Sequence, residues 1–116
     1  MCVGAWLLCG CTPRGQELYV QFQHEDPAVR LQAVRRAGQL KDPKSIPYFI
    51  DRLTDSEREI RMFAIVALEK ITGQTMGYRH YGPPAERAEA VRRWRQWLER
   101  RQEGGAATRP REKPKT

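Results

Sequence analysis

Residues 26–53 read DPAVRLQAVRRAGQLKDPKSIPYFIDRL and contain two apolar stripes with the period of an α-helix. Asp26 is a suitable N-cap for a first helix, Pro27 is tolerated at its first position, and the helix is predicted to end near Leu40. Lys41-Asp42-Pro43 is predicted to be a turn because Pro43 cannot continue that helix, and the apolar spacing after the turn predicts a second helix. The inward-facing residues predicted for the two helices are Val29, Ala33, Val34, Ala37 and Leu40, then Ile46, Phe49, Ile50 and Leu53.

The same helical spacing recurs in the residues that follow, so the chain contains an internal repeat. A shift of 31 residues places Ile60 on Val29 and Arg61 on Arg30. Gly73 is predicted to end the first helix of this second unit, and Pro83-Pro84 opens a last helix after a loop. The inward-facing residues predicted here are Ile60, Phe63, Ala64, Ala67, Leu68 and Ile71, followed by Ala88, Val91, Trp94, Trp97 and Leu98.

The flanking segments differ in composition from this helical region. Residues 16–23 are compatible with one short helix that has Leu18 and Phe22 inward, as the second half of a truncated unit. Residues 103–116 contain Pro, Gly and basic residues but no large apolar side chain, and we predict a disordered tail. The predicted organisation is an N-terminal segment at 1–11, a linker or short capping helix at 12–23, a helical domain at 24–102 and the tail.

The repeated pattern resembles a known family. Asp-Pro-x-Val-Arg-x-x-Ala-Val, then Ala-Gly-x-Leu, Asp-Pro and Ile-Pro-x-x-Ile-x-x-Leu, is similar to HEAT repeats of the phycobilin-lyase-like type. The resemblance implies an all-α fold, a short α-solenoid of about two helix pairs, in which each pair buries its apolar face against the next. A Trp-bearing C-terminal helix would cap the stack. The resemblance also implies that Arg30 and Arg61 make structural contacts to acidic loop residues.

The first eleven residues are apolar and contain all three cysteines. They are too short to span a bilayer, which takes about 20 residues, but they have the length of a signal-peptide core. Leu8-Cys9-Gly10-Cys11 resembles the lipobox of bacterial lipoproteins, which implies that Cys11 is lipidated and becomes the mature N-terminus. The expected location is then the bacterial cell envelope, lipid-anchored at the periplasmic face. The alternative is a small N-terminal helix packed on the domain, or a frayed apolar end.

The charge of the chain restricts its partners without identifying one. Lys and Arg number 21 and Asp and Glu number 14, a net charge of +7, which admits nucleic acid, an anionic membrane surface or an acidic protein. Glu residues are interspersed among the arginines of the last helix, so nucleic acid is disfavoured and another protein is the expected partner. The competing hypothesis is an intracellular HEAT-like protein that binds nucleic acid through the Arg-rich helix and the tail.

The sequence contains no recognisable catalytic or cofactor-binding arrangement. Its two histidines, His24 and His80, have no nucleophile in a typical spacing, and the glycines form no phosphate-binding loop. The cysteines lack the partners of a metal site. We therefore predict a protein without enzymatic activity, cofactor or metal. The resemblance to phycobilin-lyase-like repeats does not change this prediction, because it concerns the fold and does not imply lyase activity.

One loop is the candidate interaction site. Residues Tyr78, Arg79, His80 and Tyr81 form the densest group of side chains able to stack and to hydrogen-bond. The competing interpretation is that Tyr78 and Tyr81 pack this loop onto Trp94, which leaves Arg79 and His80 exposed. Because about three repeats are usually needed for independent stability, an open end of the stack is a further candidate surface, including for a second copy of the chain.

Overall fold

The computed structural model describes the backbone of residues 14–107 and the side chains of residues 17–104, and this part of the chain is all-α. A 3₁₀ turn at Pro43–Ser45 leads into the third helix. The predicted short α-solenoid is confirmed. The helices are α1 (Arg14–Gln21), α2 (Pro27–Leu40), α3 (Ile46–Arg52), α4 (Arg58–Thr72) and α5 (Pro84–Ala107).

Local chemistry sets the ends of the helices. The Asp26 carboxylate accepts a hydrogen bond from the Ala28 N–H at 2.9 Å and caps α2, and Pro27 occupies the first turn. Helix α4 ends at Gly73, which has a φ of 78° and donates its N–H to the Glu69 carbonyl. Both the N-cap of α2 and the stop at Gly73 are confirmed predictions.

The helices stack as two pairs with one extra helix at the N-terminal end. Helix α4 packs against both α2 and α3, and α5 packs against α3. Helix α1 lies against α2, and the buried Phe22 that follows it reaches the Phe49 ring at 5.5 Å between centroids. Phe22 stands 31 residues before Leu53, so α1 has the position of the second helix of a truncated repeat.

Most residues of the predicted stripes are buried or partly buried, and two are exposed. The α3 stripe of Ile46, Phe49, Ile50 and Leu53 is buried throughout. Leu40, predicted to face inward, is instead 61% exposed, because it is the last residue of α2 and only a short connection follows it. Ala88 is exposed as well, since α5 buries Ala90, Val91 and Trp94 instead.

The C-terminal helix is longer than expected. Helix α5 continues through Ala107, so residues 103–107, with which the predicted disordered tail begins, are helical. Extending an existing helix gains one hydrogen bond for each residue that is fixed and needs no new nucleus. Gly104 and Gly105 therefore do not end α5. Residues 108–116 of the predicted tail lie outside the described residues, as do residues 1–13, which include Cys11.

Candidate interaction site

A buried ion cluster joins the two repeats at the turn before α4. The Asp55 carboxylate accepts hydrogen bonds from Arg30 Nε at 2.8 Å and Nη2 at 3.0 Å, and from Arg52 Nη1 at 3.0 Å. It also accepts the Glu57 N–H at 3.0 Å. Burial alone raises the pKa of Asp55, but these hydrogen bonds and the charges of Arg30 and Arg52 outweigh it and leave the pKa below 3.8. Arg30 therefore makes a structural contact to an acidic residue. Because the charged groups of this cluster pair with one another, the cluster is not available to bind a ligand.

Arg61 holds the long loop between α4 and α5. Its Nη1 donates to the Asp55 carbonyl at 2.9 Å, and its Nε and Nη2 both donate to the His80 carbonyl at 3.3 Å. The resemblance implied contacts to acidic loop residues, and Arg61 instead contacts backbone carbonyls, one of which belongs to Asp55. The guanidinium is largely buried, so it stabilises the loop and offers no site to a ligand.

Tyr78 belongs to the core. Its ring is buried and its hydroxyl donates to the Leu53 carbonyl at 2.7 Å, which ties the loop to the end of α3. Burial raises the pKa of Tyr78. Trp94 supports the same loop from α5, because its Nε1 donates to the Thr75 carbonyl at 3.0 Å. One of the four residues of the candidate loop is therefore withdrawn from the surface.

The other three residues of the candidate loop lie beside one another. Tyr81 is 60% exposed, so it does not pack onto the core as the competing interpretation had it. His80 is half-buried and contacts the Tyr81 ring edge-on at 5.0 Å. Arg79 pairs with Glu86 at 2.6 Å and lies 5.8 Å from the Tyr81 ring centre.

Arg79 and His80 are both engaged in contacts within the protein. Burial, followed by the charges of Arg58 and Arg61, lowers the pKa of His80. Arg79 already has a carboxylate partner and an aromatic neighbour. The groups of the predicted interaction loop that a partner could contact are the exposed Tyr81 ring and the exposed Arg79–Glu86 pair.

A groove between α2 and α4 was not predicted from the sequence. We call it the α2–α4 groove, and its volume of about 180 Å³ is comparable with the cavity of roughly 150 Å³ that takes a benzene molecule. The two helices approach closely beneath it, since a Cβ on Gly38 would lie 3.3 Å from the Ala67 Cβ. The groove is lined by Val34, Arg35, Gly38 and Gln39 of α2 and by Phe63, Val66, Ala67 and Lys70 of α4.

One sequence signal marks this groove. Val66 lies off the predicted inward stripe of α4, and it is 40% exposed in the structure. Phe63, which was assigned to the core, is only partly buried, and the Arg35 guanidinium lies 5.6 Å from its ring centre. An apolar residue outside the buried face of an amphipathic helix was therefore the sign of a surface available for binding.

A second apolar surface, the tyrosine surface, is formed by Tyr19, Val20 and Tyr48. The two tyrosine rings stack at 4.6 Å with an angle of 6° between their planes, and Val20 beside them is 66% exposed. Tyr19 donates its hydroxyl to Asp42 at 2.9 Å, which fixes its ring. Burial and this carboxylate raise the pKa of Tyr19. Unlike the α2–α4 groove, the tyrosine surface is lined by no Lys or Arg among the described residues.

The arginines of α5 are largely engaged within the protein. Arg92 pairs with Glu89, Arg93 donates to the Met76 carbonyl at 3.0 Å, and Arg95 pairs with Asp51 at 3.1 Å. A phosphate backbone would have to compete with these partners for each guanidinium. The arrangement favours a helix that is stabilised by ion pairs over one that binds nucleic acid.

Within residues 14–107, no helix combines the length and the apolar character needed to cross a membrane. Over the same range, no three His, Cys, Asp or Glu residues come together in a way that could hold a metal ion.

Comparison with known proteins identifies one relationship. The family model for HEAT repeats matches residues 16–78, which run from α1 through α4 to the buried Tyr78 and make up more than half of the chain. No curated protein and no solved structure matches the chain. The match is to HEAT repeats in general, so the phycobilin-lyase-like type stays a prediction.

Proposed function

The chain belongs to the HEAT-repeat family, and we propose that it is a non-catalytic protein-binding module held at the periplasmic face of a bacterial membrane by a lipid on Cys11. HEAT repeats generally mediate protein–protein interaction and typically act as non-catalytic scaffolds. The observation that carries the proposal for this chain is the α2–α4 groove. The folded stack leaves this groove open, with a partly exposed Phe63 and an exposed Val66.

Such a groove fits a binding function better than a purely structural one. Most apolar side chains of the stack are removed from water, whereas Val66 keeps 40% of its surface exposed. Covering apolar surface contributes roughly 25 cal/mol per Å², so a partner that fills the groove gains affinity from it. Typical protein–protein interfaces place such an apolar centre inside a polar rim, and Arg35, Gln39 and Lys70 provide that rim here.

Selection of peptides on the folded chain tests the binding function. We expect a phage-displayed library of random short peptides to yield an enriched class on the immobilised chain. The same selection on the heat-unfolded chain is the control, because the groove and the tyrosine surface exist only in the folded state. Enrichment that is absent, or equal on folded and unfolded chain, would contradict the proposed binding function.

The proposed anchor is close to the domain in the sequence. Cys11 precedes Arg14, the first residue of α1, by three residues, which allows about 10 Å of fully extended chain. A lipid on Cys11 would keep the α1 end of the stack near the membrane surface. One acyl chain gives only marginal membrane binding, so the proposal requires the several chains of a lipoprotein anchor.

Replacing Cys11 with Ser is expected to abolish lipidation. After expression in a bacterium that processes lipoproteins, the unaltered chain should begin at a lipidated Cys11 by intact mass and should fractionate with membranes. Cys11→Ser should give an unlipidated product in the soluble fraction. Cys9→Ser is the matched control and should keep the lipid, because the lipobox resemblance makes Cys11 the modified residue. An unmodified product from the unaltered chain would remove the anchor from the proposal and leave the binding function untouched.

A further inference from the structure

The charges that line the α2–α4 groove are all positive. Arg35 and Lys70 stand on opposite helices, and no acidic residue lines the groove. Among the residues whose side chains the structure describes, neither of these two cations forms an ion pair. The arginines at positions 92 and 95 of α5 do have carboxylate partners. The groove therefore holds positive charge that the protein itself does not neutralise.

The floor of the groove is apolar and is covered by one of these cations. The Arg35 guanidinium lies over the Phe63 ring at 5.6 Å, and a cation–π contact at an exposed site contributes only about 0.5–1 kcal/mol. A carboxylate of a partner can form a charge-assisted hydrogen bond with this guanidinium, while the partner's own apolar side chain replaces the guanidinium on the ring. Arg35 can then leave the ring for the carboxylate, which opens the Phe63 and Val66 surface to an apolar side chain.

A second copy of the chain is a poor occupant for this groove. The chain has a net charge of +7, and its exposed helix surfaces are rich in arginine, so self-association would bring like charges together. Phosphate groups of nucleic acid would meet two cations but would leave the apolar floor unfilled. The combination of an apolar floor and two unpaired cations fits a partner that has both an apolar side chain and carboxylates.

Resting on the binding function proposed above, we infer that the α2–α4 groove binds an acidic peptide segment of a partner protein. The segment places one bulky apolar side chain, such as Leu or Phe, against Phe63 and Val66. Carboxylates on either side of it pair with Arg35 and Lys70. Electrostatic complementarity of this kind contributes to specificity and to the association rate, so binding weakens as salt rises.

A defined peptide tests this inference. The probe is fluorescein-labelled Gly-Ser-Glu-Glu-Asp-Leu-Glu-Asp-Leu-Glu-Gly-Ser, measured by fluorescence anisotropy against the full chain. Arg35→Glu is expected to weaken its binding at least about tenfold, a change of about 1.4 kcal/mol, and Lys70→Glu should act in the same direction. Arg36→Glu is the matched control. It makes the same charge change on exposed α2 surface outside the groove, and should weaken binding clearly less than Arg35→Glu because Arg36 does not line the groove.

Further variants separate the apolar and the charged contributions. Val66→Glu should weaken binding about as much as Arg35→Glu, because it fills the exposed floor with a like charge. Peptides in which each Leu is replaced by Ala, or each acidic residue by Lys, should bind more weakly than the probe. Thermal unfolding followed by circular dichroism confirms that each variant is folded.

The outcomes distinguish this inference from the broader proposal. No binding of the acidic probe, equal weakening by Arg35→Glu and Arg36→Glu, or equal binding of the Lys peptide would overturn the groove inference. If the peptide selection enriches another class that Tyr48→Ala abolishes, the binding function stands and its site is the tyrosine surface. A dimer that Val66→Glu dissociates would assign the groove to a second copy. If the selection enriches nothing, the proposed function itself fails.

Discussion

Replacement of Asp55 with Ala is expected to lower the free energy of unfolding by about 3–5 kcal/mol, the usual loss when one partner of a buried ion pair is removed. The Asp55 carboxylate is 1% exposed and joins Arg30 of α2 to Arg52 of α3. Without it, two guanidinium groups remain in a largely buried position with no counter-charge. Urea unfolding measures the loss, and Tm should fall by about 4–8 °C for each kcal/mol in a domain of this size.

Asp51→Ala is the matched control for this prediction. Asp51 also pairs with an arginine, Arg95, but both side chains are about half exposed, at 44% and 49%. Exposed ion pairs contribute about 0–1 kcal/mol, so Asp51→Ala should leave the stability nearly unchanged. Equal losses for the two variants would show that Asp55 is not the centre of a buried ion cluster.

The ion cluster also predicts acid sensitivity. Because the folded state lowers the pKa of Asp55 below 3.8, its contribution to stability is present above that value and is lost as the pH falls through the folded pKa. The difference in unfolding free energy between the unaltered chain and Asp55→Asn should be constant from about pH 5 to 7 and should shrink below about pH 4. Chemical denaturation across this range measures it.

The helices could be predicted because their signals are local. Asp26 and Pro27 specify the start of α2, Gly73 ends α4, and the period of apolar residues identifies the buried faces of α3 and α4. Leu40 shows the limit of this reasoning. Its spacing is that of a core residue, but it stands where α2 ends, and only the tertiary arrangement decides whether another segment covers that end.

The candidate site was less accessible to prediction than the fold. Tyr78 and Tyr81 occur in a loop without a repeating period, so no pattern indicates that Tyr78 is buried while Tyr81 is exposed. The α2–α4 groove depends on side chains that are about 30 residues apart and meet only because the repeats stack. Arg30 and Asp55, which form an ion pair, are separated by a similar distance in the sequence. The family resemblance implied that Arg30 contacts an acidic loop residue, but it did not identify Asp55 as that residue.

The C-terminal end of the stack is closed by α5, and Trp94 is the side chain that closes it. Trp94 is fully buried, contacts Trp97 edge-on at 5.3 Å and donates its Nε1 to the Thr75 carbonyl. It therefore connects the last helix to the loop that Arg61 and Tyr78 hold from the other side. Because α5 covers this end of the stack, the α2–α4 groove and the tyrosine surface are the candidate surfaces for a partner.

Trp94→Ala is expected to lower the free energy of unfolding by about 3–5 kcal/mol, because it leaves a large cavity and an unpaired Thr75 carbonyl. Urea unfolding measures the loss. Trp97→Ala is the matched control on the same helix. Trp97 is only partly buried and has Arg101 5.2 Å from its ring, so its loss should be less than half as large. If the two variants unfold at the same urea concentration, α5 does not close the stack through Trp94, and the C-terminal end becomes a third surface to test for a partner.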